Sequence, residues 1–156
     1  MATTYSNRYT SAGVPTSGRP LSKNTGPNDD YVEASYATTD IDEIGEVKYL
    51  LSVQCGRDIV YIDLSGTTDM DSNGAPALDM DLYLRTTDKL GNHTDTLLFN
   101  AGTFFQSAQT AGAVYRIWCT EPVPNSASGS AHIISKTVAA AATAVAGTFN
   151  LYAKVF

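Results

Sequence analysis

The chain is poor in the side chains that most often carry chemistry. Its 156 residues include two cysteines, two histidines and one tryptophan. Cys55 and Cys119 are too few for a disulfide framework. Both fall in or beside strand-like runs, where cysteine serves as a small buried hydrophobe, and the sequence leaves open whether they pair. His93 and His132 stand at metal-ligand spacing from no other His or Cys. There is no nucleophile elbow and no glycine-rich phosphate loop, so the reading expects no enzyme and no cofactor. Long apolar runs are missing too. The longest, Val138 to Ala146, is Ala-rich, broken by Thr143, and far too short to span a bilayer. No apolar stretch follows Met1, so the expectation is a soluble protein made and used without export. Basic residues are scarce, with 10 Lys and Arg against 16 Asp and Glu and a net charge of −6. An acidic body without a basic stripe does not fit a nucleic-acid binder.

The first 28 residues lack acids altogether. They carry Arg8, Arg19 and Lys23, a charge of +3, so residues 29–156 hold all sixteen acids and a charge of −9. The same stretch is rich in Ser, Thr, Gly, Pro and Asn, with only Val14 and Leu21 as aliphatics beyond Ala. Such a segment buries too little surface to offset its ordering entropy by itself. It reads either as a solvated tail or as an extended arm that orders against a partner. On the second reading Tyr5, Arg8, Tyr9, Arg19 and Lys23 are the candidate contacts, the tyrosines because they combine contact area with modest rotamer loss.

What the remaining 128 residues do have is period-two alternation. Pro76 to Arg85 is the clearest case: Leu78, Met80, Leu82 and Leu84 alternate with Asp79, Asp81, Tyr83 and Arg85. Successive strand side chains point to opposite faces, so this is a strand with one dry and one wet face. Val47, Tyr49, Leu51 and Val53 form a second such set. Val60, Ile62 and Leu64 form a third, with Gln54–Gly56 between them as a hairpin or a corner between sheets. Tyr31, Val32 and Tyr36 suggest a peripheral first strand. Thr96–Asn100 reads as a short strand, Ala113–Cys119 as a central one, and Ala131–Val138 as another. In the last run, Phe149, Leu151, Ala153 and Val155 share one face. Trp118 is expected in the core or packed on a sheet face. Seven or eight short strands with turn signals predict one all-β domain, an antiparallel, jelly-roll-like β-sandwich over residues 29–156 behind an arm at 1–28.

One local motif invites a metal. Asp69-Met70-Asp71-Ser72-Asn73-Gly74 matches the opening D-x-D-x-N-G of an EF-hand loop, where oxygen ligands alternate and glycine permits the turn. The twelfth position, which needs a bidentate Glu, falls on Met80. The motif therefore reads as a polar turn opening the next strand, with calcium on Asp69, Asp71 and Asn73 as the alternative. Asp79 and Asp81 lie on the wet face of their strand, which explains them without catalysis.

Residues 44–156 resemble the small β-sandwich proteins encoded beside the major capsid proteins of tailed phages. Four pieces carry the likeness in order: the Val47–Val53 strand, Gly56-Arg57-Asp58-Ile59-Val60, the Asp-rich loop before Leu78-Asp79-Met80-Asp81-Leu82, and Ala146-Gly147-Thr148 ahead of Phe149. The Met-Ala-Thr-Thr opening is similar to that of phage head proteins. The resemblance implies a head decoration, or cement, protein on a jelly-roll-like sandwich. It would be a trimer bound to the major capsid protein on the outer surface of the virion and made in the host cytoplasm. It offers no catalytic residue. A tail- or neck-associated module and a carbohydrate-binding sandwich are the alternatives.

Overall fold

The computed structural model describes residues 3–5, 30–38, 44–53, 55–66, 71–100, 114–123, 130–142 and 147–155. Within them the chain forms nine strands: β1 (Thr3–Tyr5), β2 (Asp30–Thr38), β3 (Val47–Val53), β4 (Asp58–Gly66), β5 (Asp79–Thr87), β6 (His93–Asn100), β7 (Tyr115–Pro122), β8 (Ser130–Ala139) and β9 (Gly147–Val155). One sheet has the order β1-β3-β8-β5-β6 and the other β2-β9-β4-β7.

The pairings are nested. β2 pairs with β9, β3 with β8, β4 with β7 and β5 with β6, all antiparallel. The chain from β2 to β9 is thus one long hairpin bent at the β5–β6 loop and rolled up. The β4–β9 and β5–β8 pairs complete the two sheets. This is a jelly-roll sandwich with open edges and no closed barrel. β1 stands outside the roll and is the one described strand that pairs in parallel, Thr3 to Val47 and Tyr5 to Tyr49.

The dry faces meet between the sheets. Leu78, Met80, Leu82 and Leu84 are all buried, as their alternation requires. Ile59, Ile62, Leu64, Ile117, Leu151, Ala153 and Val155 oppose them from the second sheet. Each of these side chains larger than alanine contributes roughly 1.5–3 kcal/mol of transfer free energy. Cys55 and Cys119 are not joined in a disulfide, and burial pushes the Cys119 pKa up to about 11.

Two β-bulges move residues off the faces that simple alternation assigns. In β3 the register shifts between Tyr49 and Leu51, so Leu50 is the extra residue. Leu50, Leu51 and Val53 enter the core, whereas Tyr49 faces outward against His132 and Arg85. In β4 the shift lies between Ile59 and Tyr61. Ile59 takes the core place that alternation gives to Val60, which is half-buried. An inserted residue breaks the period of two on one side of itself only.

The turns correct further boundaries. Of the two readings for the connection from β3 to β4, hairpin or corner, it is a corner between sheets, since β3 and β4 lie in different sheets. Gly56 adopts φ 79° there, and its N–H donates to the Val123 carbonyl at 3.0 Å. β6 begins at His93, earlier than its apolar residues suggest, because Asp88 closes a tight loop. The Asp88 carboxylate accepts N–H bonds from Leu90 at 2.8 Å and Asn92 at 2.9 Å, and Gly91 sits at φ 85°. The stretch expected to form a central strand at Ala113–Cys119 is β7, which among the described residues is an edge strand paired with β4 alone.

Candidate interaction surface

The arm contacts are mostly outside the described residues: Arg8, Tyr9, Arg19 and Lys23 fall there, as does Asp69. Tyr5 lies in β1, in register with Tyr49. Asp71 and Asn73 are both described, and Asp71 serves as a clasp. Its Oδ2 accepts the backbone N–H groups of Ala77 at 2.7 Å, Leu78 at 3.1 Å and Ala142 at 2.9 Å, and its Oδ1 that of Asn73 at 3.4 Å. Asn73 Oδ1 in turn accepts from Ala75. These bonds order a polar turn at the mouth of β5. Among the described residues no three His, Cys, Asp or Glu side chains converge where they could hold a metal ion.

The outer face of the β2-β9-β4-β7 sheet carries the most prominent aromatic group. Trp118 lies on edge strand β7 and is 71% exposed. Its alternation with Ile117 and Cys119 gives no sign of this, because edge position depends on which strands pair far along the chain. Tyr61 sits directly across on β4, its ring 5.3 Å from that of Trp118 at 68°. The near-perpendicular setting leaves no flat stacking platform. Arg116 lies over Tyr61 at 4.0 Å and reaches Trp118 at 5.7 Å. Asp63 holds the guanidinium in a two-pronged grip, Nε to Oδ1 and Nη2 to Oδ2, both at 2.7 Å. Tyr152 is next across the sheet from Asp63 and is also exposed. Trp, Tyr and Arg are the residue types that dominate binding hot spots, and an arginine fixed in advance loses little freedom on contact.

The opposite outer face is more enclosed and internally paired. Arg85 binds Asp95 through Nε at 2.7 Å and Nη2 at 2.8 Å, and its Nη1 donates to the Tyr49 hydroxyl at 3.1 Å. Lys136 adds a 2.6 Å contact to Asp95 and lies over the Tyr83 ring at 4.5 Å. The Arg85 bond first, with Lys136 behind it, pulls the Asp95 carboxyl down to about 2. His132 packs edge-on to Tyr49 at 5.3 Å. Burial, with Arg85 and His93 adding repulsion, pushes His132 down to about 4. It is neutral at pH 7. His93 meets the Thr87 hydroxyl, at 2.9 Å and in the open.

Comparison with solved structures returns the same architecture. A chain of the cyanophage Pam1 capsid asymmetric unit superposes with a TM-score of 0.60 at 16% identity, over 94% of this chain and 98% of that one. A chain of the capsid of Ralstonia phage GP4 gives 0.62 at 17% identity, over 99% and 97%. The fold is shared with phage capsid chains. Both matches run nearly end to end on each side, so the matched chains are close to this one in length. No protein-family model and no curated protein matches the sequence. At these identities the likeness is one of fold.

Proposed function

We propose that the protein is a non-enzymatic structural component of a phage virion. It decorates the outer surface of the capsid and cements neighbouring copies of the major capsid protein, after synthesis in the host cytoplasm. The jelly roll, matched along its whole length by chains of two phage capsids, carries this reading.

Residues 1–28 form the attachment arm, with Tyr5, Arg8, Tyr9, Arg19 and Lys23 as its contacts. An extended segment covers a large surface for few residues and accepts an ordering cost in return. Its charge of +3, against −9 on the remainder, suits an acidic docking surface. A trimer lets three weak attachments act together through effective concentration. The body adds a second, rigid contact surface at Trp118, Arg116 and Tyr152.

Co-sedimentation of the purified protein with undecorated phage heads tests the proposal. Saturable pelleting at a fixed ratio to the capsid subunit is expected, weakening with salt because the arm is cationic. Folded protein that stays in the supernatant at low salt overturns it.

A further inference from the structure

One edge of β3 has a short occupant. Its other edge pairs with β8 along the strand. On the first, β1 covers only Val47 to Tyr49, three of the seven residues of β3. From Leu51 to Val53 no described strand pairs with that edge. A row of backbone N–H and C=O groups at a sheet edge is a template for an added strand.

The tether between β1 and the body is far longer than its own path needs. β1 runs parallel to β3, so the chain leaves β1 toward the Val53 end of the sandwich. Asp30 lies at that same end. It is paired to Val155, as is Ile59, and Ile59 follows Val53 through the corner. The gap from Tyr5 to Asp30 is therefore about four strand residues along and one sheet spacing across, roughly 20 Å. Residues 6–29 supply 24 residues for it. A chain of that length reaches up to about 80 Å, whereas a domain of this size is only about 40 Å across.

From these observations we infer that β1 is an exchangeable strand, which docks on β3 of a neighbouring copy of this chain and so links the copies through their sheets. Exchange makes the same three-residue parallel pairing on the same edge and creates no new unsatisfied group, so it costs little. Charge permits it as well: the bodies are acidic and repel, but the cationic arm of one copy offsets part of the charge on the body it reaches. The inference concerns the partner of β1 and does not depend on binding to heads.

Exchange is read by isotope-mixed crosslinking of the full chain. A photo-crosslinking benzoylphenylalanine replaces Thr4, the central residue of β1. Equal amounts of ¹⁵N-labelled and unlabelled protein are unfolded, mixed, refolded at a series of concentrations and irradiated. Peptides spanning residues 47–53 that carry the crosslink are then weighed. The expected result is crosslinks joining light to heavy peptides, rising with concentration toward half of the total, and lost when an unmodified β1 peptide is added in excess. Crosslinks to residues 47–53 that stay within one isotope at every concentration overturn the inference, because β1 then serves only its own chain. Crosslinks that avoid residues 47–53 also overturn it, because β3 is then not the receptor. Head binding, measured separately, does not depend on which of these results is obtained.

Discussion

The carboxylate of Asp71 accepts the backbone N–H of Ala142 at 2.9 Å, across 71 residues of sequence. With the bonds to Ala77 and Leu78 on the same oxygen, it fastens the entry of β5 to the connection leaving β8. Asp71 is almost fully buried, so its loss strands several desolvated N–H groups at once.

Asp71→Ala is therefore expected to cost about 2–4 kcal/mol of stability, read as a lower urea midpoint at unchanged slope. The same clasp makes a second expectation. Thermal midpoints with calcium and with EDTA should coincide, since Asp71 is committed to backbone donors. A midpoint raised by calcium and reversed by the chelator would assign the loop to a cation instead.

Lys48 and Glu46 form a buried pair at 3.1 Å, with Thr137 Oγ1 3.3 Å from the same ammonium. A desolvated ion pair adds little net stability, yet removing one partner of a buried pair costs far more than the intact pair contributes. Glu46→Ala should cost about 3 kcal/mol. The double variant Glu46→Leu with Lys48→Met should recover most of that loss in the same denaturation experiment.

His132 makes stability depend on pH. Its folded pKa of about 4 lies below the ordinary value of 6.5. Between those two values the unfolded chain binds the extra proton, so stability is complete above about 6.5 and drains as the pH falls toward 4. The loss over that window should be on the order of 2–3 kcal/mol. His132→Gln should flatten the profile of thermal midpoint against pH between 4 and 6.5. The Arg85–Asp95 pair acts lower: Asp95 takes its proton near 3.8 in the unfolded chain and near 2 in the fold, so its contribution drains mainly below pH 4.

Trp118 separates contact from stability. Its ring is mostly solvent-exposed and touches the fold through Tyr61 and Arg116. Trp118→Ala should change stability by about 1 kcal/mol or less while weakening binding to heads by roughly tenfold or more. Equal head affinity for the two proteins would remove this face from the attachment surface.

Much of the fold is legible in the sequence, and the departures have local causes. The set Leu78, Met80, Leu82 and Leu84 keeps its period through the strand and lies wholly in the core. Leu151, Ala153 and Val155 do the same in β9. Alternation assigns Tyr49 and Val60 to the wrong faces because a bulge at Leu50, and another at Val60 relative to β9, each insert one residue, and nothing in the composition marks the insertion. Lys48 reads as a wet-face residue, yet Leu50's bulge and the carboxylate of Glu46 let it lie buried. Of the two places that suit Trp118, core or sheet face, the fold gives it an outer face at an edge, since among the described strands β7 has a partner on one side only. The proposed attachment surface is the least legible part. It assembles Asp63, Arg116 and Tyr152 from three strands that become neighbours only when the long hairpin rolls up.

The most direct test of the cementing role is the heat rupture of phage heads with and without bound protein. Heads titrated with the full chain should rupture at temperatures that rise with occupancy and level off when binding saturates. Heads that bind the protein to saturation but rupture at the same temperature as bare heads would contradict the account.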